Sequence, residues 1–218
     1  MKVVSFIDDP VTTTDELIPS GETSSYRSNP LKLAEFALSR KDPSYVPKAK
    51  EVKEIEVKRA KGEYPFDNQN EFKEYFKEIE DKFGVNLQNT SIGSTIYAQK
   101  PGDGSAREQA ASCQRVLFGM ANIAKEYATK RYRSNLINWG MFPFICDDIC
   151  FENGDYIFVP DIKKAIIEKT DNIKAYIVNK NMKEIMLHLG NLTDDERKII
   201  LAGCLINFRP VYNIWTKF

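Results

Sequence analysis

The sequence of 218 residues holds a single histidine, His188. That excludes the His-rich zinc sites of hydrolases and the HExxH motif, which needs two histidines. Cysteine is also scarce: Cys113, Cys146, Cys150 and Cys204 are the four. They are too few and too scattered for a disulfide scaffold, and no CxxC pair exists. Reduced thiols and a cytoplasmic location are the simplest reading. Net charge is missing as well, with 31 basic against 31 acidic residues. A general nucleic-acid binder shows a basic excess, so nucleic acid is not an expected partner. Long apolar runs are absent. The longest, Ile199 to Ile206, falls far short of the ~20 residues of a membrane helix. The N-terminus reaches Asp8 and Asp9 too early for a signal peptide.

What is present describes a globular chain, 42% hydrophobic and 28% charged, sized for one ordinary-to-large domain or two small ones. Residues 2–7 (KVVSFI) are β-branched and aromatic and read as a strand. Residues 8–29 are dense in Thr, Ser, Asp, Pro and Gly and read as a long loop, a feature that is often functional. Pro30 to about Ser39 reads as a short helix with proline in its first turn. Residues 48–82 carry nine basic and ten acidic side chains. Within them Phe72, Tyr75, Phe76 and Ile79 follow i, i+3, i+4, i+7, the stripe of an amphipathic helix. Such a helix rests on its own domain, or else docks a partner.

From Ser91 onward the pattern is α/β. Residues 91–98 and 121–124 read as strands and 102–120 as a glycine-rich turn feeding a helix. Tyr132–Trp139 reads as a second helix. Strands are expected at 155–160, 173–179 and 184–189. A last helix starts at the Thr193–Glu196 capping box and is expected to run to about Asn207. His188 lies in an alternating run with Ile185, Leu187 and Leu189, which makes it a strand-surface residue.

The local feature with most chemistry is Gly102-Asp103-Gly104-Ser105-Ala106-Arg107-Glu108. Two glycines allow a tight turn or close approach to a ligand. Ser105 falls at a helix start, where free N–H groups and the helix dipole favour an anion. Arg107 adds a bidentate carboxylate donor. Ser105-x-x-Glu108 is also a capping box, which is commonly a purely structural device. Lys130-Arg131-Tyr132-Arg133 is a basic cluster that reads as a solvated helix start, or else as a substrate or interface patch. Cys113 reads as a small core residue.

This order of motifs resembles the C-terminal swivelling domain of the aconitase superfamily. The resemblance is carried by Gly104-Ser105-Ala106-Arg107-Glu108, Ala128, and Asn135 to Gly140 followed by Met141-Phe142-Pro143-Phe144. Thr14-Asp15-Glu16-Leu17-Ile18-Pro19 resembles an element near the start of that domain, found also in small subunits of 3-isopropylmalate dehydratase. Ala202-Gly203 resembles part of its terminal helix. The resemblance implies an α/β fold with a β/β/α three-layer arrangement. It implies a single domain over 1–218 with a charged helical insertion at about 45–90.

It further implies a hydro-lyase acting on hydroxy di- or tricarboxylic acids. Ser105 would be the base, and Arg107, Arg27 and Gly104 would bind substrate. A [4Fe–4S] cluster would be held by partner domains, on the same polypeptide or a large subunit, and none by this chain. Alone, the chain is expected to be inactive. Ala106 replaces the family's second serine and Gln109 a usual histidine, which bears on substrate identity. The rival reading is a non-enzymatic RNA-binding or structural module built on the same fold.

Overall fold

A computed structural model describes residues 1–66 and 71–208. The chain opens with β1 (Lys2–Ile7), β2 (Thr12–Thr13) and α1 (Thr14–Leu17), then a 3-10 turn at Ser24–Tyr26. Helices α2 (Pro30–Ala34), α3 (Tyr45–Ala60) and α4 (Glu71–Phe83) follow. The α/β half comprises β3 (Ser94–Ala98), β4 (Pro101–Asp103), α5 (Arg107–Val116), β5 (Gly119–Ala124), α6 (Lys130–Asn138) and β6 (Phe142–Ile145). It closes with β7 (Ile157–Phe158), α7 (Ile162–Ile167), β8 (Asn172–Ile177), β9 (Lys183–His188) and α8 (Asp194–Leu201).

Seven strands form one mixed sheet in the order β1-β3-β5-β6-β9-β8-β7. The first four are parallel and the last three antiparallel. The parallel strands β1, β3 and β5 are buried along nearly their whole length, as strands covered on both faces must be. The antiparallel β8 and β9 alternate buried with exposed residues, which matches one covered face. The sheet curls until its ends meet. Lys2 bridges Tyr156, and the Val3 N–H donates to the Asp155 carbonyl at 2.8 Å.

Two hydrophobic clusters flank this sheet, fed by alternate residues of the same strands. Val4, Ile96 and Ala98 join a cluster with Leu17, Ala34, Ala49, Ala110 and Leu136 from helices α1, α2, α3, α5 and α6. Val3, Tyr97 and Ile123 join the other, with Ile173, Ile185, Ile166 and Ile200. The period-two alternation of β1 and β3 therefore builds both cores at once.

The charged segment folds as α3 and α4. Phe72, Phe76 and Ile79 are buried and Tyr75 is half-buried. Phe72 meets the Tyr156 ring edge-on at 4.6 Å, and Phe83 lies 4.9 Å from Phe158. The apolar stripe is thus used inside the molecule. Residues 67–70 of this segment lie outside the described residues.

Several expectations change, among them the helix expected from Pro30 to about Ser39, which ends at Ala34. Residues 8–29 are not a plain loop: Thr12 pairs with Pro101, and Thr13 and Glu16 form a capping box that starts α1. Strand β6 and helix α7 were not foreseen. Strand β6 contains Pro143 and touches β9 through one pair, Ile145 with His188. Helix α8 ends at Leu201, not Asn207. Beyond it the chain turns so that the Leu205 N–H donates to the Asn138 carbonyl at 2.7 Å.

Candidate active site

The glycine turn is clamped from two sides. On one side β2 pairs with β4, placing Thr13 beside Asp103. The next residue, Thr14, is buried, and its Oγ1 accepts from the Ala106 N–H at 3.3 Å. Gly104 stands at φ +134°, and a Cβ there would lie 2.2 Å from Thr14 Oγ1. On the other side Gly102, at φ +97°, presses against Tyr132, where a Cβ would lie 2.3 Å from the ring. Thr129 caps α6 by accepting from the Tyr132 N–H, and its hydroxyl also reaches the Gly102 carbonyl. Tyr132 is itself fixed: its buried hydroxyl oxygen accepts from Gln114 Nε2 at 3.0 Å and Asn122 Nδ2 at 2.8 Å.

This clamp decides where Ser105 goes. The Ser105–Glu108 capping box does not form. The N-cap of α5 is Ala106, with no side-chain cap. Thr14 accepts the Ala106 N–H, and the exposed Ser105 hydroxyl makes no hydrogen bond among the described residues. It opens onto a cleft of about 390 Å³ lined by Ser105, Arg107, Glu108, Lys130, Arg131, Ser134 and Asn135. Ser105 and Arg107 stand at the start of α5, Lys130 and Arg131 at the start of α6.

The electrostatics are one-sided. Arg107, Lys130 and Arg131 face a single acidic lining residue, Glu108. None of the three cations has a carboxylate partner among the described residues. The Nε of Arg107 is buried without a hydrogen bond. A buried guanidinium donor left unpaired is costly, so it calls for an acceptor from outside the chain. Lys130 and Arg131 have the wrong sign for the positive end of α6, which again favours an anion between them. The cleft can bind a carboxylate beside a free serine hydroxyl.

Arg27 is not in this cleft. It follows the Ser24–Tyr26 turn, exposed and without an ion pair among the described residues. Helix α2 packs on both that turn and α5. His188 lies on β9 as expected, half-buried, with Nε2 3.9 Å from Asp147 Oδ2. Cys113 is buried in the core, where burial pushes its thiol up to about 12. Burial likewise pushes Cys146 up to about 11. These are inert thiols. Among the described residues no three His, Cys, Asp or Glu side chains converge to hold a metal. The clamp residues Thr14 and Tyr132 were not foreseen as parts of the site. The signal was present in Thr14, which opens the Thr14–Pro19 element.

No family model matches the sequence, and no curated protein matches it either. The fold does have a solved counterpart among dehydratases. It is similar to the crystal structure of 3-isopropylmalate dehydratase (LeuD) from Methanocaldococcus jannaschii. The TM-score is 0.57 at 23% identity, over 94% of this chain and 89% of that chain. The likeness shows a shared mixed α/β fold. No described helix is long and apolar enough to cross a membrane.

Proposed function

We propose that this chain is the swivelling domain or small subunit of an aconitase-like hydro-lyase. It would interconvert hydroxy di- or tricarboxylic acids through dehydration and rehydration. The observation that carries this reading is the pairing, in one cleft, of an unpartnered Ser105 hydroxyl with the buried, unpaired Nε of Arg107. Arg107 binds a substrate carboxylate. Ser105, as its alkoxide, removes the proton from the carbon bearing that carboxylate. The alkoxide is stabilised by the start of α5 and by three nearby cations. The C–H electron pair becomes the new C=C bond as the C–O bond on the adjacent carbon breaks, and the departing hydroxide takes up the proton held by Ser105, which releases one water and restores the alkoxide. Gly104 keeps the backbone close enough for Ser105 to present its oxygen. Arg27 is the second carboxylate arginine of this reading, acting from the flank.

In this reading a [4Fe–4S] cluster held by partner domains would supply the Lewis acid for the departing hydroxyl. The test is reconstitution with a cluster-bearing large subunit or domain, assayed on a panel of hydroxy acids. Activity that requires both components supports the reading. Absence of hydration or dehydration across the panel contradicts it.

A further inference from the structure

The basic cluster at 130–133 is only partly absorbed by this mechanism. Arg133 is accounted for: its Nη2 donates to the Leu189 carbonyl at 2.7 Å, and it does not line the cleft. Tyr132 is buried in the clamp. Lys130 and Arg131 are different. They line the cleft, are exposed, and lack a carboxylate partner among the described residues. Ser134 and Asn135, one turn further along α6, line it too. Residues four apart share a helix face, so 130/134 and 131/135 form two adjacent ridges turned toward Ser105.

We infer that Lys130 and Arg131 are specificity-determining residues. They receive a second anionic group of the substrate, distal to the carboxylate held by Arg107. This rests on the reading that Arg107 anchors the reacting end of the acid. Two cations at the positive end of α6 would repel each other and the helix dipole in an empty site, and a distal carboxylate relieves both. Ser134 Oγ and Asn135 Nδ2 already donate to the Lys130 and Arg131 carbonyls, both at 3.0 Å, so the attraction at this end comes from Lys130 and Arg131. The favoured occupant is therefore an acid with at least two separated negative charges, and a monoanion would fill only the Arg107 end.

The test titrates the full chain with tricarballylate, a trianion, and with butyrate, a monoanion, following amide shifts by NMR. Tricarballylate is expected to bind at least about tenfold tighter than butyrate. The double variant Lys130→Gln/Arg131→Gln should lose that preference while keeping its far-UV circular dichroism. The control Lys125→Gln, an exposed cation outside the cleft, should keep it. Wild-type affinity in the double variant, or no preference in the wild type, overturns the inference and leaves the Ser105–Arg107 reading standing. Unchanged tricarballylate affinity in Arg107→Gln overturns that reading itself. Salt-dependent binding of a single-stranded RNA oligonucleotide through Lys130 and Arg131, without tricarballylate binding, overturns both.

Discussion

The Thr14 hydroxyl oxygen accepts a hydrogen bond from the Ala106 N–H, 3.3 Å away, across 92 residues of sequence. This contact joins the start of the chain to the start of α5. It holds the N–H of Ala106, the residue from which α5 starts. Thr14→Val keeps the shape and removes the acceptor. It should cost about 0.5–1.5 kcal/mol, the usual net worth of one hydrogen bond. Thr14→Ser should restore most of it. Thermal melting of the three proteins checks this, and equal melting temperatures would contradict it.

Gly104→Ala tests the same contact from the other side. The new Cβ would meet Thr14 Oγ1 at 2.2 Å, at a backbone φ of +134°. The strain should cost about 1–3 kcal/mol. Because the turn must move, carboxylate binding should weaken along with stability. A variant that melts and binds like the wild type would show that the close approach is unimportant.

Tyr132→Phe removes the hydroxyl that receives Gln114 and Asn122. Two buried amide donors would lose their acceptor, at about 1–3 kcal/mol. Amide exchange should quicken at the start of α6 and in the 102–106 turn, which Tyr132 supports. Exchange rates unchanged at both places would contradict the clamp.

Helix α4 offers a test of the charged segment. Phe76 is buried against Phe66, with ring centroids 5.8 Å apart. Phe76→Ala should destabilise by about 3–5 kcal/mol. A helix reserved for a partner would tolerate the change in the free chain. Urea denaturation distinguishes the two.

Alkaline pH should weaken the fold. Burial raises the Cys113 and Cys146 thiols to about 12 and about 11, from an ordinary value near 9. A group whose folded pKa is raised contributes its full stability below the unfolded value and loses it as pH rises toward the folded one. Stability should therefore hold up to about pH 9 and fall between there and pH 11–12. The buried Tyr132 and Tyr127, also raised by desolvation, act in the same direction. Denaturation midpoints at pH 8 and 10.5 check this, and Cys113→Ala should show a shallower fall.

Much of this fold is legible in the sequence because local pattern and tertiary use agree. The KVVSFI run becomes β1, the Phe72–Ile79 stripe becomes the buried face of α4, and the Thr193–Glu196 box starts α8. The alternation around His188 becomes β9. The misses have a common cause. Strand β2 is two residues long and exists only because β4 lies beside it, so no local window shows it. Ser105–Glu108 has the spacing of a capping box, yet α5 starts one residue later, at Ala106, whose N–H is held by a threonine 92 residues away. Lys130 and Arg131 read as a solvated helix start, and their shared cleft with Ser105 appears only when α5 and α6 pack side by side. Short-range chemistry is visible in sequence, whereas partners supplied from a distance are not.

The central claim is that the free Ser105 hydroxyl is the base. The direct measurement is turnover by Ser105→Ala after reconstitution with the cluster-bearing partner. The hydroxyl makes no hydrogen bond among the described residues, so the variant should melt like the wild type and still bind tricarballylate. Its turnover should fall by about 10²-fold or more, as for loss of a catalytic proton acceptor. Turnover equal to that of the wild type, in a folded variant, would contradict the account.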